Sequence, residues 1–398
     1  MESRVCFRMS GLLSLVILSV CFGHVAATFS VCKPRSCISG KATCLNKKCV
    51  CLVPHVWGDG TFMCYKQNQV ATEVKNDPRL TTFNNESTNF PYPCRYLLTA
   101  VKQELKNLLN IKTGTCTIQV HAFNKRHNGK IIVYGYEVAL KFEALLFSKS
   151  LSIITYGTHG KVTEGGTDNS YVTSGTYGNH LKSSAVAIFS DLIRNIYVKR
   201  YHLPLNNQYV VEVDACGFRA TFVPYDTTLG LAQPNIPGLS VAINCAHHPQ
   251  WLLKEKVMGL APADAGGLTF AGLKTSYPGL DTVQAMLQRA ITSGTLQSQP
   301  DASPKCSALK TAVDTCDKME LVKAYKLCTP ILETSHLVKC ISNNNPSTSN
   351  SDAVLGVFIT CVNHFCNGGG QCQLFKSVYG NCNDPALKKL ISAAACTP

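Results

Sequence analysis

The sequence predicts a multidomain protein: a small disulfide-rich module, an antiparallel β-sandwich, and a helical disulfide-rich module near the C-terminal end. Three observations predict it. The 21 cysteines crowd into two stretches, 32–64 and 306–396, with only Cys94, Cys116, Cys216 and Cys245 between them. That middle stretch shows apolar residues at a period of two, the signature of half-buried strands. The last hundred residues change to a spacing of three to four, the signature of helices. With 398 residues, 45% of them apolar and 16% charged, the chain can bury a large core and does not have the composition of a disordered protein.

Residues 1–27 read as a secretory leader. Arg4 and Arg8 form a positive start, Gly11 to Val20 a short apolar run, and Val25-Ala26-Ala27 a small-residue cleavage site, so the mature chain is predicted to begin at Thr28. The expected compartment is secreted and extracellular, where cysteines form disulfides rather than metal sites. Removing Cys6 and Cys21 leaves 19 of the 21 cysteines. An odd number implies one that is free or bridges to another molecule; both alternatives stand at this point.

The first module is assigned to 28–66. It holds Cys32, Cys37, Cys44, Cys49, Cys51 and Cys64, with the turn signal Gly58-Asp59-Gly60 before the last. So short a segment depends on cross-links for stability. Cys49-Val50-Cys51 followed by the Gly-containing loop resembles an epidermal-growth-factor-like module. The resemblance implies the pairings Cys32–Cys44, Cys37–Cys49 and Cys51–Cys64. Calcium-binding versions carry acidic residues before the first cysteine; here Thr28-Phe29-Ser30-Val31 stands there, so no calcium is expected. Six Lys/Arg against one Asp over 32–66 make the module basic.

The β-sandwich is assigned to 75–265. Cys116, Ile118, Val120 and Ala122 alternate with Thr117, Gln119 and His121; Val138, Leu140 and Phe142 alternate with Glu137, Lys141 and Glu143. Asn128-Gly129 between them is a hairpin signal. Tyr209 to Val213 and Leu239 to Ile243 read as further strands, and the Gly/Ser/Thr-rich stretch 156–180 as a long exposed loop. Asp77-Pro78, Thr82-Phe83-Asn84-Asn85 and Cys94-Arg95-Tyr96-Leu97-Leu98 resemble the opening of a von Willebrand factor type D domain, whose fold is an antiparallel sandwich. Asn76-Asp77-Pro78-Arg79 lacks the Gly and His of the self-cleaving members, so no autocleavage is expected. Asn84 replaces an acidic residue and the loop 257–264 has only Asp264, so no metal is expected either. Asn85-Glu86-Ser87 is an N-glycosylation sequon and marks Asn85 as a surface position.

Residues 266–303 read as a linker, with Gly294, Pro300 and several Ser, Thr and Gln. The helical module is assigned to 304–398, with cysteines at 306, 316, 328, 340, 361, 366, 372, 382 and 396. Leu321, Ala324, Tyr325 and Cys328, then Val354, Phe358 and Cys361, follow helical spacing. The run Cys361 to Cys366, then Cys372 and Cys382, is similar to the eight-cysteine module that commonly follows type D domains, with one cysteine more than that family's count.

No nucleophile, zinc or phosphate motif occurs. Gly368-Gly369-Gly370 reads as a turn, and His247-His248, being adjacent, point apart and read as a turn or surface pair. The chain is expected not to be an enzyme, with no catalytic, cofactor-binding or metal residues. The formal charge of +14, spread in small clusters such as Lys47-Lys48, Lys125-Arg126, Lys199-Arg200 and Lys388-Lys389, suits extracellular proteins or anionic glycans as partners, with no nucleic acid and no membrane span. The expected function is a secreted structural or adhesive glycoprotein of mucus, matrix or a surface coat, in disulfide-linked homo-oligomers if the odd cysteine cross-links. The alternative is a soluble extracellular recognition factor, kept monomeric, that binds a receptor or a glycan in defence.

Overall fold

The structure is a computed structural model. It describes residues 37–75, 78–127, 130–156, 159–164, 167–172, 186–203, 207–225, 236–251, 270–293, 296–297, 305–314, 316–333, 340 and 350–369. The leader, Cys32, the loop 257–264, Gly370, Lys388-Lys389 and Cys372, Cys382 and Cys396 lie outside these residues.

The chain opens with two short hairpins. β1 (Ala42–Leu45) pairs with β2 (Lys48–Cys51), and β3 (His55–Trp57) with β4 (Tyr65–Lys66). Cys37–Cys49 and Cys51–Cys64 staple them. Cys44 is disulfide-bonded as well.

Two large antiparallel sheets follow. The first contains β8 (Arg95–Lys106), β9 (Lys112–His127), β10 (Lys130–Ala144), β11 (Phe147–Tyr156), β12 (His159–Glu164) and β13 (Thr167–Val172) in sequence order. Two short strands, β19 (Gln250–Trp251) and β20 (Leu296–Gln297), pair with β8 along its other edge. The second sheet runs β14 (Val186–Asp191), β15 (Ile196–Leu203), β16 (Gln208–Val213), β17 (Phe218–Val223), β18 (Gly238–Asn244), then β5 (Gln69–Lys75), β6 (Arg79–Thr81) and β7 (Ser87–Asn89).

The alternating residues make the sheets face each other. Cys116, Ile118, Val120 and Ala122 of β9 and Val138, Leu140 and Phe142 of β10 are all buried, and they share one core with Val211, Val213, Phe218, Ala220 and Phe222 of the other sheet. Tyr136 meets Phe222 at 5.3 Å between ring centres, and Phe142 stacks on Phe189 at 6.1 Å. Cys116–Cys216 bridges the sheets covalently. His127 pairs with Lys130; the Asn128-Gly129 hairpin signal falls between them, outside the described residues.

Two expectations differ from the structure. The stretch 156–180, read as an exposed loop, contains the hairpin β12–β13 on the edge of β11. Pairing to a preformed edge lets a Gly/Ser/Thr-rich segment extend the sheet, because strand preference depends on context more than on composition. The linker read over 266–303 contains α1 (Phe270–Ser276), α2 (Thr282–Thr292) and β20. Asp281 caps α2 in a reciprocal box with Gln284. Ala285, Met286, Leu287, Ala290 and Ile291 are buried in the common core. The segment looked like a linker because its polar residues mask the apolar spacing of α2, although Gln284 and Arg289 are themselves buried.

Four more helices follow among the described residues: α3 (Lys305–Asp314), α4 (Lys318–Cys328), α5 (Pro330–Glu333) and α6 (Asn350–Cys366). Leu321, Ala324, Tyr325, Val354 and Phe358 are buried. Cys328–Cys361 ties α4 to α6, and Cys316–Cys366 secures the same pair of turns. Cys94–Cys306 joins the helices to the start of β8, and Arg126 donates from Nη2 to the carbonyl of Leu332 at 3.2 Å. The helices therefore sit at the end of the first sheet where β8 begins and β9 finishes. No helix among the described residues is long and apolar enough to cross a membrane.

Candidate functional site

The small N-terminal hairpins rest on the outer face of the second sheet. Phe62, Met63 and Tyr65 pack on Ala71, Val223 and Ala242, with Trp57 and Ile236 at the margin. Trp57 and Tyr65 lie 4.5 Å apart between ring centres. Tyr65 is fully buried, and its hydroxyl is bonded to Glu73 and, at 2.7 Å, to Ser240 Oγ. Lys75 closes the seam, with Nζ 2.9 Å from Asp59 and 2.8 Å from Glu73. Burial alone would lower the Lys75 pKa, but the two carboxylates outweigh it and raise it.

Beside this seam is a small open cleft, lined by Lys41, His55, Lys66, Gln69, Glu212 and Arg219 among others. The hairpin staples fix Lys41, His55 and Lys66 on one wall. The Glu212↔Arg219 register of β16 and β17 fixes the other. The cleft is cationic. Its one carboxylate, Glu212, is already engaged by the Tyr201 hydroxyl at 2.8 Å and by Arg219 at 4.0 Å. Lys41 has no ion-pair partner among the described residues. Burial first, and the Arg219 charge second, bring its ammonium down to about 8, with Glu212 pulling the other way. His55 is held below its ordinary value by burial and by the charges of Lys41, Arg219 and Lys66, so at neutral pH it contributes a neutral ring.

A second polar cluster lies on the outer face of the first sheet. Glu137 is bonded to the Arg95 guanidinium, sits 3.3 Å from His121 Nδ1, and accepts from Ser152 Oγ at 2.8 Å. Burial would raise the Glu137 pKa, but His121, Arg95 and Ser152 together lower it. Burial lowers that of His121. The cluster brings together a hydroxyl, an imidazole and a carboxylate, but in the wrong order for nucleophilic catalysis. A triad needs the imidazole between hydroxyl and carboxylate. Here the carboxylate is central and accepts directly from Ser152, so the imidazole does not reach the hydroxyl and the order is not that of a triad.

Comparison with protein-family models finds no match, and no curated protein is significantly similar to the chain.

The remaining residues singled out from sequence are placed as follows. Cys37–Cys49 and Cys51–Cys64 are bonded, and every described cysteine takes part in a disulfide. The partners of Cys44, Cys245 and Cys340 lie outside the described residues. Asn85 is exposed in the turn between β6 and β7 at φ 61. His247 is buried and faces the Glu104 carbonyl at 3.0 Å from Nδ1, a structural role. His248 is exposed in a left-handed turn conformation. Among the described residues, no group of three or more His, Cys, Asp or Glu could hold a metal.

Among the described basic dipeptides, Lys47 and Lys48 are exposed. Arg126 and Arg200 are buried, while Lys125 lies over the Tyr134 ring at 4.5 Å. The cleft cations were missed because Lys41, Lys66 and Arg219 are far apart in sequence. The excess of lysine in the first module was the one signal that pointed there.

Proposed function

We propose that this is a secreted, non-enzymatic adhesive or structural glycoprotein of mucus, matrix or a surface coat, and that it holds anionic glycans in the cleft between its first module and the second sheet. In this reading the module is epidermal-growth-factor-like, the paired sheets are von Willebrand factor type D-like, and the helices are eight-cysteine-like. Three features support that assignment: the Cys37–Cys49 and Cys51–Cys64 bonds, the two antiparallel sheets, and the Cys94–Cys306 bond, which leaves eight cysteines in 304–398. Asn85 carries a glycan, and the odd cysteine links copies.

The observation that carries the binding reading is Lys41, which has no ion-pair partner among the described residues and lines a small open cleft with Arg219 and Lys66. A sulfate or carboxylate there gains charge-assisted hydrogen bonds, which are stronger than neutral ones. The site discriminates by charge and tolerates different sugars.

The test is binding of immobilised heparin and of sialylated mucin by the full secreted protein. Binding falls as salt rises. It also falls as pH is raised through about 8, where Lys41 loses its proton. Lys41→Ala with Arg219→Ala weakens binding about tenfold, the scale of one to two charged hydrogen bonds. Equal binding by wild type and double variant, or no polyanion binding at physiological salt, overturns the reading. Intact mass without reductant decides the cross-linking: covalent multimers support it, and a monomer with a free thiol transfers the cleft to a diffusible recognition factor.

A further inference from the structure

We propose that three hairpin tips at one end of the two-sheet body form a surface that inserts into an anionic phospholipid bilayer. The tips carry Leu108-Leu109 between β8 and β9, Leu145-Leu146 between β10 and β11, and Leu192-Ile193 between β14 and β15. All six side chains are exposed, Leu146 by 97% and Ile193 by 91%.

The register places them together. Successive turns of an antiparallel meander alternate ends, so the β8–β9 and β10–β11 turns share one. Ala144 pairs with Gly114, two residues into β9. The third tip belongs to the other sheet, yet it joins them: the Arg194 guanidinium lies over the Phe147 ring at 4.3 Å, beside Leu145-Leu146. The helices sit at the opposite end, by Cys94 and Arg126, and leave the tips clear of the described residues.

The turns are built to hold these side chains outward. Asn107 Oδ1 accepts from the backbone N–H groups of Leu109 (3.0 Å) and Ile111 (2.9 Å). Asp191 accepts from the Arg194 backbone N–H at 3.0 Å and its side chain at 2.8 Å. Polar work is thus done within each turn. Leu146 sits at φ 57, a conformation that Asn or Gly adopts at lower cost. Leucine at the β10–β11 tip therefore costs stability and exposes apolar surface, which calls for a use.

A bilayer fits better than another protein. The occupant must accept six exposed aliphatic side chains on three turns, and a fluid interface does so without a shape match. Behind them Lys112, Lys141, Lys149 and Arg194 outnumber Glu104, Glu143 and Asp191, a net positive charge at the depth of anionic headgroups. Two copies meeting tip to tip would oppose two such charges.

Flotation of the full secreted protein with vesicles of phosphatidylcholine, with and without phosphatidylserine, tests this. The protein floats with the vesicles, more with phosphatidylserine, and part of the binding survives high salt. Leu145→Ser with Leu146→Ser lowers partitioning about tenfold or more, the scale of withdrawing two leucines from an apolar phase. Its unfolding midpoint verifies that the fold is intact. Leu146→Trp keeps the tip apolar, floats like wild type, and its emission moves to the blue on vesicles. Failure to float with either lipid, a serine variant that floats like wild type, or a lipid-free dimer that the serine variant dissolves each overturns the proposal. None of these outcomes depends on the glycan cleft.

Discussion

Replacing Glu137 by Gln isolates one charge in the first sheet and has a calculable cost. The amide keeps the shape and still accepts from Ser152, but the Arg95 guanidinium loses its counter-ion beside the Phe123 ring, 5.5 Å away. Removing one partner of a buried pair costs about 3–5 kcal/mol. The Arg95 side chain keeps 20% of its surface in water, so the lower end, about 3 kcal/mol, applies.

The assay is urea unfolding followed by near-ultraviolet circular dichroism. With a slope of about 3 kcal/mol per molar urea, the midpoint falls by roughly 1 M. The cost must also depend on pH. The Glu137 carboxyl is held below its ordinary value of 4.5. Its contribution is therefore present above that value and lost as pH falls through the lower folded one. His121, held below 6.5 by burial, acts in the same direction: the unfolded chain takes up its proton first as pH drops. Wild type and Glu137→Gln therefore converge in acid. Arg95→Met with Glu137→Leu, which removes both charges, recovers most of the loss. A cost below about 1 kcal/mol at neutral pH, or one unchanged at about pH 3, would refute the assignment of Glu137 as the charged centre of the cluster.

Two further outcomes test the architecture. Cys94→Ala with Cys306→Ala opens a loop of 212 residues, a loss of about 5 kcal/mol on chain entropy; the thermal midpoint drops, and equal midpoints would show that packing alone holds the helices to the sheet. Leu287→Ala in α2 empties a fully buried site and costs about 2–5 kcal/mol, read by urea unfolding, whereas a residue in a true linker would tolerate it.

What was legible in the sequence was periodicity over long uninterrupted runs. Cys116 to Ala122 and Val138 to Phe142 state their inward faces directly, because a strand with one face in the core must alternate. Leu321 to Cys328 and Val354 to Cys361 do the same for helices. The hairpin β12–β13 was not legible: its strands are short and polar, and the edge of β11 supplies what their composition lacks. Nor was α2, whose capping residues resemble linker chemistry. The cleft was hidden for a different reason. Charge counts report how many lysines a segment has, whereas a site depends on which of them face one another, and Lys41 meets Arg219 only because the hairpins dock on the second sheet.

The tips make the same point from the apolar side. Leu108-Leu109, Leu145-Leu146 and Leu192-Ile193 are ordinary pairs of aliphatics between strand segments, and in a linear reading each looks like part of a neighbouring strand. Register changes their meaning: Ala144 pairs with Phe147, so the two residues between them belong to no strand and face no core. Once three such pairs are turned outward at one end, with the helices at the other, the molecule acquires a direction. The cationic cleft lies on the outer face of the second sheet and the apolar tips at its end, so in the proposed reading an anionic glycan and a lipid surface meet different parts of one disulfide-stapled body. The two proposals are then separable: loss of either contact would leave the other intact.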